Sequence, residues 1–526
     1  MRVNLFFLLA SIGLTPTLML AQSGDDPLTF DGDMLVRGFY ISRDLPLERV
    51  TKEPCPNPFD KGVAGKTQSR CQEQGDYYTT RFRLNLTFRP NAYVDITYGL
   101  EVGDITFGQD KNPSIGAGAG GKGGDSVNIE TREMRMRVHD QDRTQYVEGG
   151  IFPLGSPSGL VMAATGAGFK GETEARSLMS NFLLAYLRQV DDSIQDGDLN
   201  GYSDNTFKDV NLIYGSWKFF GFQDWNIENY MVYRHDPAEY DENGLLKDTH
   251  KLYWLGSQVR YTKGGFGMLL HGVGNIGIIS SVDDPELSDK NNYFYQPTVD
   301  SSGNVSWLKV SAVDRRKQIS PIHDMAISTA EEARLAFPTS RRRHSIRSAA
   351  GQVEFSYRFL DATTLIFGAA GATGRLRAQA DGRSTKLRND QFYTASPAFQ
   401  YTEIALDTSG GYTIFKNGEL TGLQAYQLQW RQKFTSSIEG KFSYTYLKSN
   451  WSYDGTFNQF YGWWKGAPSS DIGNELNAVV DWRPFAQFII TAKAAIFLPG
   501  RGYRFLQDAE HGSVIREYSI YVMQRF

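Results

Sequence analysis

Charged side chains at every second position are the residues of this sequence most able to do chemistry. In 81–88 (RFRLNLTF), Arg81 and Arg83 alternate with apolar residues. The segment 352–359 divides in the same way, with Val353, Phe355, Tyr357 and Phe359 on one face and Gln352, Glu354, Ser356 and Arg358 on the other. Successive side chains of a β-strand point to opposite faces, so each such segment has one charged face and one apolar face. Guanidinium groups suit carboxylate and phosphate recognition, and rings of one charge select ions of the other. The alternation therefore predicts a charged surface that selects ions or small solutes.

The charged side chains on this common face are of both signs. We expect most of them to pair with one another. The arginine pairs at 81/83 and 135/137, on the second and fourth predicted strands, are the exception and form a local positive stripe. The predicted bases are Arg81, Arg83, Arg135, Arg137, Arg358, Arg431, Lys433 and Lys493, and the predicted acids are Asp95, Glu101, Glu133, Asp224, Glu228, Glu354, Glu475 and Asp481.

A second candidate site lies in the polar segment 191–207. Its residues Asp196, Asp198 and Asn200, followed by Gly201 and Asp204, match the beginning of a calcium-binding loop. Phe207 stands where an EF-hand has its bidentate glutamate, so a helical EF-hand is excluded. The alternatives are Ca²⁺ bound in an extracellular loop and a solvated acidic loop without metal. No other cofactor is predicted.

The two cysteines, Cys55 and Cys71, fall in one long predicted loop. An even pair in an exported chain favours a disulfide. Closing a loop of about 15 residues would stabilise the fold by about 3 kcal/mol in the chain-entropy model.

Residue arrangements typical of enzymes are missing from the sequence. The seven histidines are scattered, with no HExxH motif, no cysteine–histidine cluster and no Ser-His-Asp arrangement typical of barrel lipases. Gly166, Gly168 and Gly171 match a dinucleotide fingerprint by spelling only, because no βαβ unit surrounds them. We predict no enzymatic activity, and a formal net charge of −4 gives no reason to expect a nucleic-acid partner.

The elements that position these residues are strand-like segments joined alternately by short turns and long polar loops. Short turns fall at 89–92, 140–142, 262–265, 360–362 and 435–436, and long loops at 44–76, 106–126, 191–207, 236–249, 280–344, 375–420 and 449–471. This alternation is typical of a transmembrane antiparallel β-barrel with short periplasmic turns and long extracellular loops. We predict about 18 strands, or about 16 if ARSLMSNFLLAYLRQ is helical.

The features of both termini agree with a location in the outer membrane. Residues 1–21 have the basic start and apolar core of a signal peptide, which leaves 22–526 as the barrel. The alternating last segment ends in Phe526, which is typical of the strand read by the barrel-insertion machinery. We therefore expect a monomer in a Gram-negative-type outer membrane, in contact with lipid and lipopolysaccharide.

The loop 280–344 is too long for a plain connection. Ser328 to Glu331 reads as a capping box that opens a short helix, between basic runs at 315–317 and 341–343. Two interpretations stay open: the loop folds into the pore mouth and narrows it, or it is an extracellular loop whose arginines meet anionic polysaccharide.

Several segments together resemble the alginate-export (AlgE-like) family of outer-membrane porins. The closest is 472–500, with Gly473, Glu475, Phe497, Pro499 and Gly500 at the family's positions, and 80–101 is similar to its early hairpin. The resemblance implies an 18-stranded barrel that passes an anionic polysaccharide through an arginine-rich pore. We predict a porin-like channel for small or anionic solutes, among them an acidic oligosaccharide or polysaccharide. The alternative is a closed barrel whose long loops act in adhesion or partner binding.

Overall fold

The computed structural model describes residues 27–45, 71–107, 129–190, 210–237, 249–282, 293–299, 305–311, 341–375, 389–396, 398–406, 420–453, 467–506 and 514–526. Four predictions lie outside these residues and stay predictions. They are the signal peptide at 1–21, the disulfide with Cys55, the helix that begins at Ser328, and the Ca²⁺ loop with Asp196, Asp198, Asn200 and Asp204.

The described residues are almost entirely β-structure. The strands, numbered along the chain, are β1 Leu28–Leu45, β2 Cys71–Asn91, β3 Val94–Phe107, β4 Ile129–His139, β5 Gln145–Gly155, β6 Ala163–Ala175, β7 Ser180–Val190, β8 Val210–Phe219, β9 Trp225–Asp236, β10 Thr249–Lys263, β11 Phe266–Val282, β12 Tyr293–Val299, β13 Val305–Ser311, β14 Arg341–Phe359, β15 Thr363–Ala372, β16 Leu423–Lys433, β17 Ile438–Tyr453, β18 Ser469–Phe485, β19 Phe488–Pro499 and β20 Ile515–Arg525. A short helix, α1, spans Arg501–Leu506.

Eighteen of these strands form one closed antiparallel sheet. Each pairs with its neighbour in the chain, except that β11 pairs with β14, and β1 pairs with β20 to close the barrel. Strands β12 and β13 form a separate hairpin within the loop 280–344. The predicted 18-stranded barrel is confirmed. The helical alternative is wrong, because its segment forms the end of β6, a short turn and β7.

The predicted alternation of turns is also confirmed. Strands β10 and β11 meet in a tight turn at Gly264 and Gly265, whose φ angles of 57° and 86° favour glycine. The connection from β18 to β19 is equally short, whereas the connection from β15 to β16 runs from residue 373 to residue 422. We call the short-turn end of the barrel the periplasmic end, as is usual for such barrels.

The outer wall is apolar. Along one row of paired residues, Phe355, Phe367, Leu428, Tyr444 and Leu476 follow one another on adjacent strands, and each is an exposed large hydrophobic residue. The predicted split of 352–359 into apolar and polar faces is thus confirmed. An apolar surface that runs around a closed sheet is stable against lipid rather than water. The protein is therefore built as an outer-membrane-type barrel.

Among the described residues, no helix is long and apolar enough to cross a membrane.

Candidate functional site: a divided lumen

Two chain segments fold into the barrel and meet inside it. The first, residues 156–162, joins β5 to β6, and the second, residues 389–396 with 398–406, belongs to the connection from β15 to β16. The Val161 carbonyl accepts from the Ala395 amide at 2.8 Å, and the Ser396 carbonyl accepts from the Ala163 amide at 2.9 Å. Their parent strands lie nearly opposite each other around the barrel. We call the two segments together the crossbar, because they span the lumen.

The composition of the crossbar explains why it folds inward. Leu160, Val161, Met162, Phe392 and Ile404 are at most 1% exposed. In an extracellular loop these side chains would face water, whereas inside the barrel they pack against the wall. Burial of each large apolar side chain stabilises the inward position by about 1.5–3 kcal/mol.

The crossbar covers one half of the lumen wall, formed by β7–β11, which we call the packed half. Along one row of paired residues, Ala185, Tyr214, Val232 and Trp254 face inward and are at most 2% exposed. The Trp254 indole donates to the Tyr393 carbonyl at 2.8 Å. On the same strand, Gln258 donates to the Ser158 hydroxyl at 2.8 Å. The packed half is therefore a dry interface between wall and crossbar.

The rest of the wall, formed by β14–β20 and β1–β6, carries charged side chains, and we call it the charged half. Here the carboxylate of Glu475, on β18, holds the backbone of the crossbar. Glu475 is fully buried and accepts from three backbone amides, those of Glu403 at 2.8 Å, Ile404 at 2.9 Å and Ala405 at 2.8 Å. Hydrogen bonds to a charged acceptor stabilise by about 1.5–3 kcal/mol each. Glu475 thus fixes the crossbar and, being buried, does not face an open path.

Beside this attachment, the side chain of Glu403 reaches the wall. Its Oε1 contacts Lys441 Nζ at 2.8 Å, and its Oε2 contacts Lys493 Nζ at 2.6 Å. Burial by itself would raise the pKa of the Glu403 carboxyl, but Lys441 and Lys493 outweigh burial and hold its pKa below the ordinary value. A cavity of about 400 Å³ adjoins these three side chains, and Gln400, Thr491 and Tyr521 also line it.

The two lysines belong to a basic row that crosses six strands. Arg358 pairs through Thr364 with Arg431, which pairs with Lys441, which pairs through Val479 with Lys493. Paired residues share a face, so all these bases face the lumen. Barrel strands are tilted by about 35–45°, so a row perpendicular to them slants along the lumen axis. We call Arg358, Arg431, Lys441 and Lys493 the basic row. In the described part of the chain, Arg358 and Arg431 make no ion pair with a carboxylate.

The arginines predicted as a positive stripe lie elsewhere in the charged half and are paired. Arg81 contacts Asp33 at 3.3 Å, and Arg83 contacts Glu101 at 2.6 Å. The interpretation that these residues escape pairing is wrong, because β1 and β3 place carboxylates beside them on the same face.

The second arginine pair surrounds one buried carboxylate. Glu148 of β5 is fully buried and contacts Arg135 at 3.1 Å and Arg137 at 2.7 Å. Lys170 of β6 completes the group at 2.6 Å. Glu133 adds a further contact to Arg135 at 3.4 Å. Three bases thus share Glu148, which holds them in place along this part of the wall.

The remaining predicted lumen residues are dispersed. Asp95 is buried near the periplasmic end beside Arg89, at 3.3 Å. Glu354 accepts from Gln352 at 2.8 Å, and Asp481 accepts from Thr491 at 2.5 Å. Lys433 is exposed at the periplasmic end of β16. That these residues line a conducting path stays a prediction.

Two important residues were missed in the sequence. Lys441 stands in the alternating segment IEGKFSY, where Phe442 and Tyr444 face lipid, so alternation alone would have placed it in the lumen. Glu403 lies in 375–420, which the alternation of turns predicts to be an extracellular loop; for 398–406 this is wrong, because the segment is held inside the barrel by Glu475. The apolar run FYTASPAFQYTEIAL in that loop was the available signal for an inward fold.

The loop 280–344, predicted as the candidate for narrowing the pore, is described only at β12 and β13. Its place relative to the lumen stays a prediction, while the segments found inside the barrel come from other loops.

Comparison with known proteins gives similarity in fold. No protein-family model matches the chain, and no curated protein is similar to it. Similar solved structures include OccAB4 of Acinetobacter baumannii, with a TM-score of 0.47 and 9% identity over 94% of this chain and 98% of that one. The outer membrane protein OpdK of Pseudomonas aeruginosa has a TM-score of 0.45 and 10% identity over 95% of this chain and 98% of that one. OpdK has also been solved with vanillate, with a TM-score of 0.46 and 10% identity over 94% and 98%. The resemblance to the alginate-export family stays a prediction.

Proposed function

We propose that this protein is an outer-membrane channel for the passive passage of small organic anions, with carboxylates as the preferred class. The observation that carries the proposal is the basic row. The two wall residues that stand between its four bases, Thr364 and Val479, are not acidic. A slanted line of cations offers an anion successive contacts, each weak enough to be left for the next.

The crossbar supports passage of small solutes. It fills the packed half, so the route for a solute runs along the charged half. Near the crossbar the space beside Lys441 and Lys493 is a cavity of about 400 Å³. A cavity of this size is at the lower end of those that hold drug-sized ligands.

The charged half has one region whose cations can attract an anion and another whose charges are neutralised by pairing. In the wall of β1–β6, Arg81, Arg83 and Arg135 pair with carboxylates, whereas Arg358 and Arg431 of the basic row make no ion pair among the described residues. An anion therefore gains most from the side of β14–β19. An acidic oligosaccharide or polysaccharide, which the resemblance to the alginate-export family implies, offers the same carboxylate chemistry in a longer chain.

The test is single-channel recording of the full-length protein in planar bilayers. We expect anion preference in a KCl gradient, and block of the current by benzoate and by a short oligouronate. Stronger block by the oligouronate favours the acidic saccharide. Absence of conductance contradicts the channel and favours the alternative of a closed barrel with binding loops, and cation preference contradicts an anion path.

A further inference from the structure

The bridge from Glu403 to Lys441 and Lys493 has the geometry that a bound solute carboxylate would have. Each of its two oxygens contacts one ammonium group, at 2.8 and 2.6 Å. A carboxylate accepts through both oxygens in this way when it is recognised by two bases. The side chain therefore occupies the place in which an anion would be held.

The two lysines and the carboxylate belong to different parts of the molecule. Lys441 lies on β17 and Lys493 on β19, with β18 between them, and both pair with Val479 of β18. Their spacing is thus set by the sheet. Glu403 comes from the crossbar, which crosses the lumen and is not part of the sheet. The pair of lysines is therefore a feature of the wall that exists independently of its occupant.

The position of Glu403 is held from its backbone as well as from its side chain. Its amide donates to Glu475 at 2.8 Å, together with the amides of the next two residues. Removal of the side-chain charge therefore leaves the main attachment of the crossbar in place. The site can be opened without release of the segment that carries Glu403.

Space and further polar groups lie beside the lysines. The adjoining cavity is lined by Gln400, Thr491 and Tyr521, and also by the carboxylate of Asp481, which accepts from the Thr491 hydroxyl at 2.5 Å. Lys493 Nζ lies 4.8 Å from the centre of the Tyr521 ring, a cation–π contact that keeps this ammonium group in position. An aromatic or aliphatic monocarboxylate has room to enter next to Glu403.

We propose that Lys441 and Lys493 form a carboxylate-binding subsite, and that Glu403 is a built-in competitor for it. This inference rests on the proposed function, because it assigns a step of the anion's path. A solute carboxylate displaces Glu403 and binds one or both lysines. When the solute leaves, Glu403 binds the lysines again. The competitor keeps the subsite weak, and weak binding favours conduction over trapping.

The experiment compares Glu403→Gln with the wild type and with Glu174→Gln, which neutralises a half-buried glutamate near the end of β6 that contacts Arg176 at 3.2 Å. Benzoate is the probe, and its half-blocking concentration is read from single-channel currents of the full-length protein. We expect a fall of about tenfold in Glu403→Gln, because one charged hydrogen-bonding competitor is lost. Glu174→Gln should behave as the wild type. An unchanged value in Glu403→Gln overturns the proposal.

Two further variants separate a subsite from a displaced crossbar. Lys441→Met in the Glu403→Gln background should bring back weak block, and tight block in this double variant overturns the assignment of the lysines. A larger conductance of Glu403→Gln in plain KCl, without tighter benzoate block, indicates that the crossbar has moved, and it also overturns the proposal.

Failure of the proposed channel function can be distinguished from failure of the subsite. If the wild type conducts no current, the proposed function falls, and benzoate is titrated by calorimetry into the detergent-solubilised protein. Tighter binding by Glu403→Gln than by the wild type then supports the subsite, and equal binding overturns it.

Discussion

The packed half and the charged half belong to one sheet but present opposite surfaces to the lumen. The row Ala185, Tyr214, Val232 and Trp254 is almost completely buried beneath the crossbar. In the row Arg431, Lys441, Val479 and Lys493, three of four positions are bases, and Arg431 is exposed. A lumen wall can thus serve as a packing surface or as a solvated path. Contact with the crossbar decides between them, because its apolar side chains cover the first row, whereas Arg431 of the second row stays exposed.

This difference explains why β7 was ambiguous in the sequence. Its segment NFLLAYL is apolar on both faces, since Leu184 faces lipid and Ala185 faces the crossbar. A strand buried on both faces loses its alternation and resembles a buried helix in sequence. In a barrel, a strand that is apolar on both faces therefore indicates that something covers its inner side.

Substitutions in the packed half should lower the free energy of unfolding more than substitutions in the charged half. Trp254→Ala removes a fully buried side chain and its hydrogen bond to Tyr393, and we expect a loss of about 3–5 kcal/mol in the free energy of unfolding. Urea unfolding in lipid vesicles measures it. Leu255→Ala, on the lipid face of the same strand, is the matched control and should cost less. Equal losses would contradict a dry interface.

The attachment of the crossbar joins the two halves, and Glu475→Ala breaks it. Three amides lose their common acceptor, at a cost of about 1–3 kcal/mol for each buried donor left unsatisfied. We expect the crossbar to leave the charged half and the single-channel conductance to rise. Leu476→Ala, at the adjacent lipid-facing position of the same strand, is the control. Unchanged conductance in Glu475→Ala would show that the crossbar does not narrow the path.

Within the charged half, the basic row and the paired wall should differ in selectivity. Charge reversal at Arg358 and Arg431 should abolish anion preference, which is measured as the reversal potential in a KCl gradient. The charge-conserving double change Arg83→Gln with Glu101→Gln removes an ion pair of 2.6 Å and should shift the reversal potential much less. The opposite order of effects would place the anion path along β1–β6.

The smallest effect is expected from pH. The pKa of Glu403 is held below its ordinary value of 4.5 by Lys441 and Lys493. A group with a lowered folded pKa contributes stability that is present above the unfolded pKa and is lost as pH falls through the folded pKa. Thermal unfolding between pH 7 and pH 3 should therefore show a larger loss for the wild type than for Glu403→Gln. Parallel curves would contradict the shift.

Much of the architecture followed from local pattern. Alternation at 352–359 and the turn at Gly264 and Gly265 depend only on neighbours in sequence, and both were predicted correctly. The pairing of Arg83 with Glu101 required the register of β2 against β3, which alternation does not contain. The contact of Glu403 with Lys493 joins residues far apart in the chain, through a loop that carries no periodic pattern.

By itself, the sequence determined the antiparallel barrel of about 18 strands, the alternation of short and long connections, and the two faces of its regularly alternating strands. Period-two alternation and turn chemistry are local, and the cost of a charge in lipid makes the choice of face unambiguous. Only the tertiary structure decided which loops enter the lumen, which charges are neutralised and which bases remain as a row. These properties depend on which strands lie opposite each other in the barrel and on which apolar residues become buried. Closure of the sheet decides both.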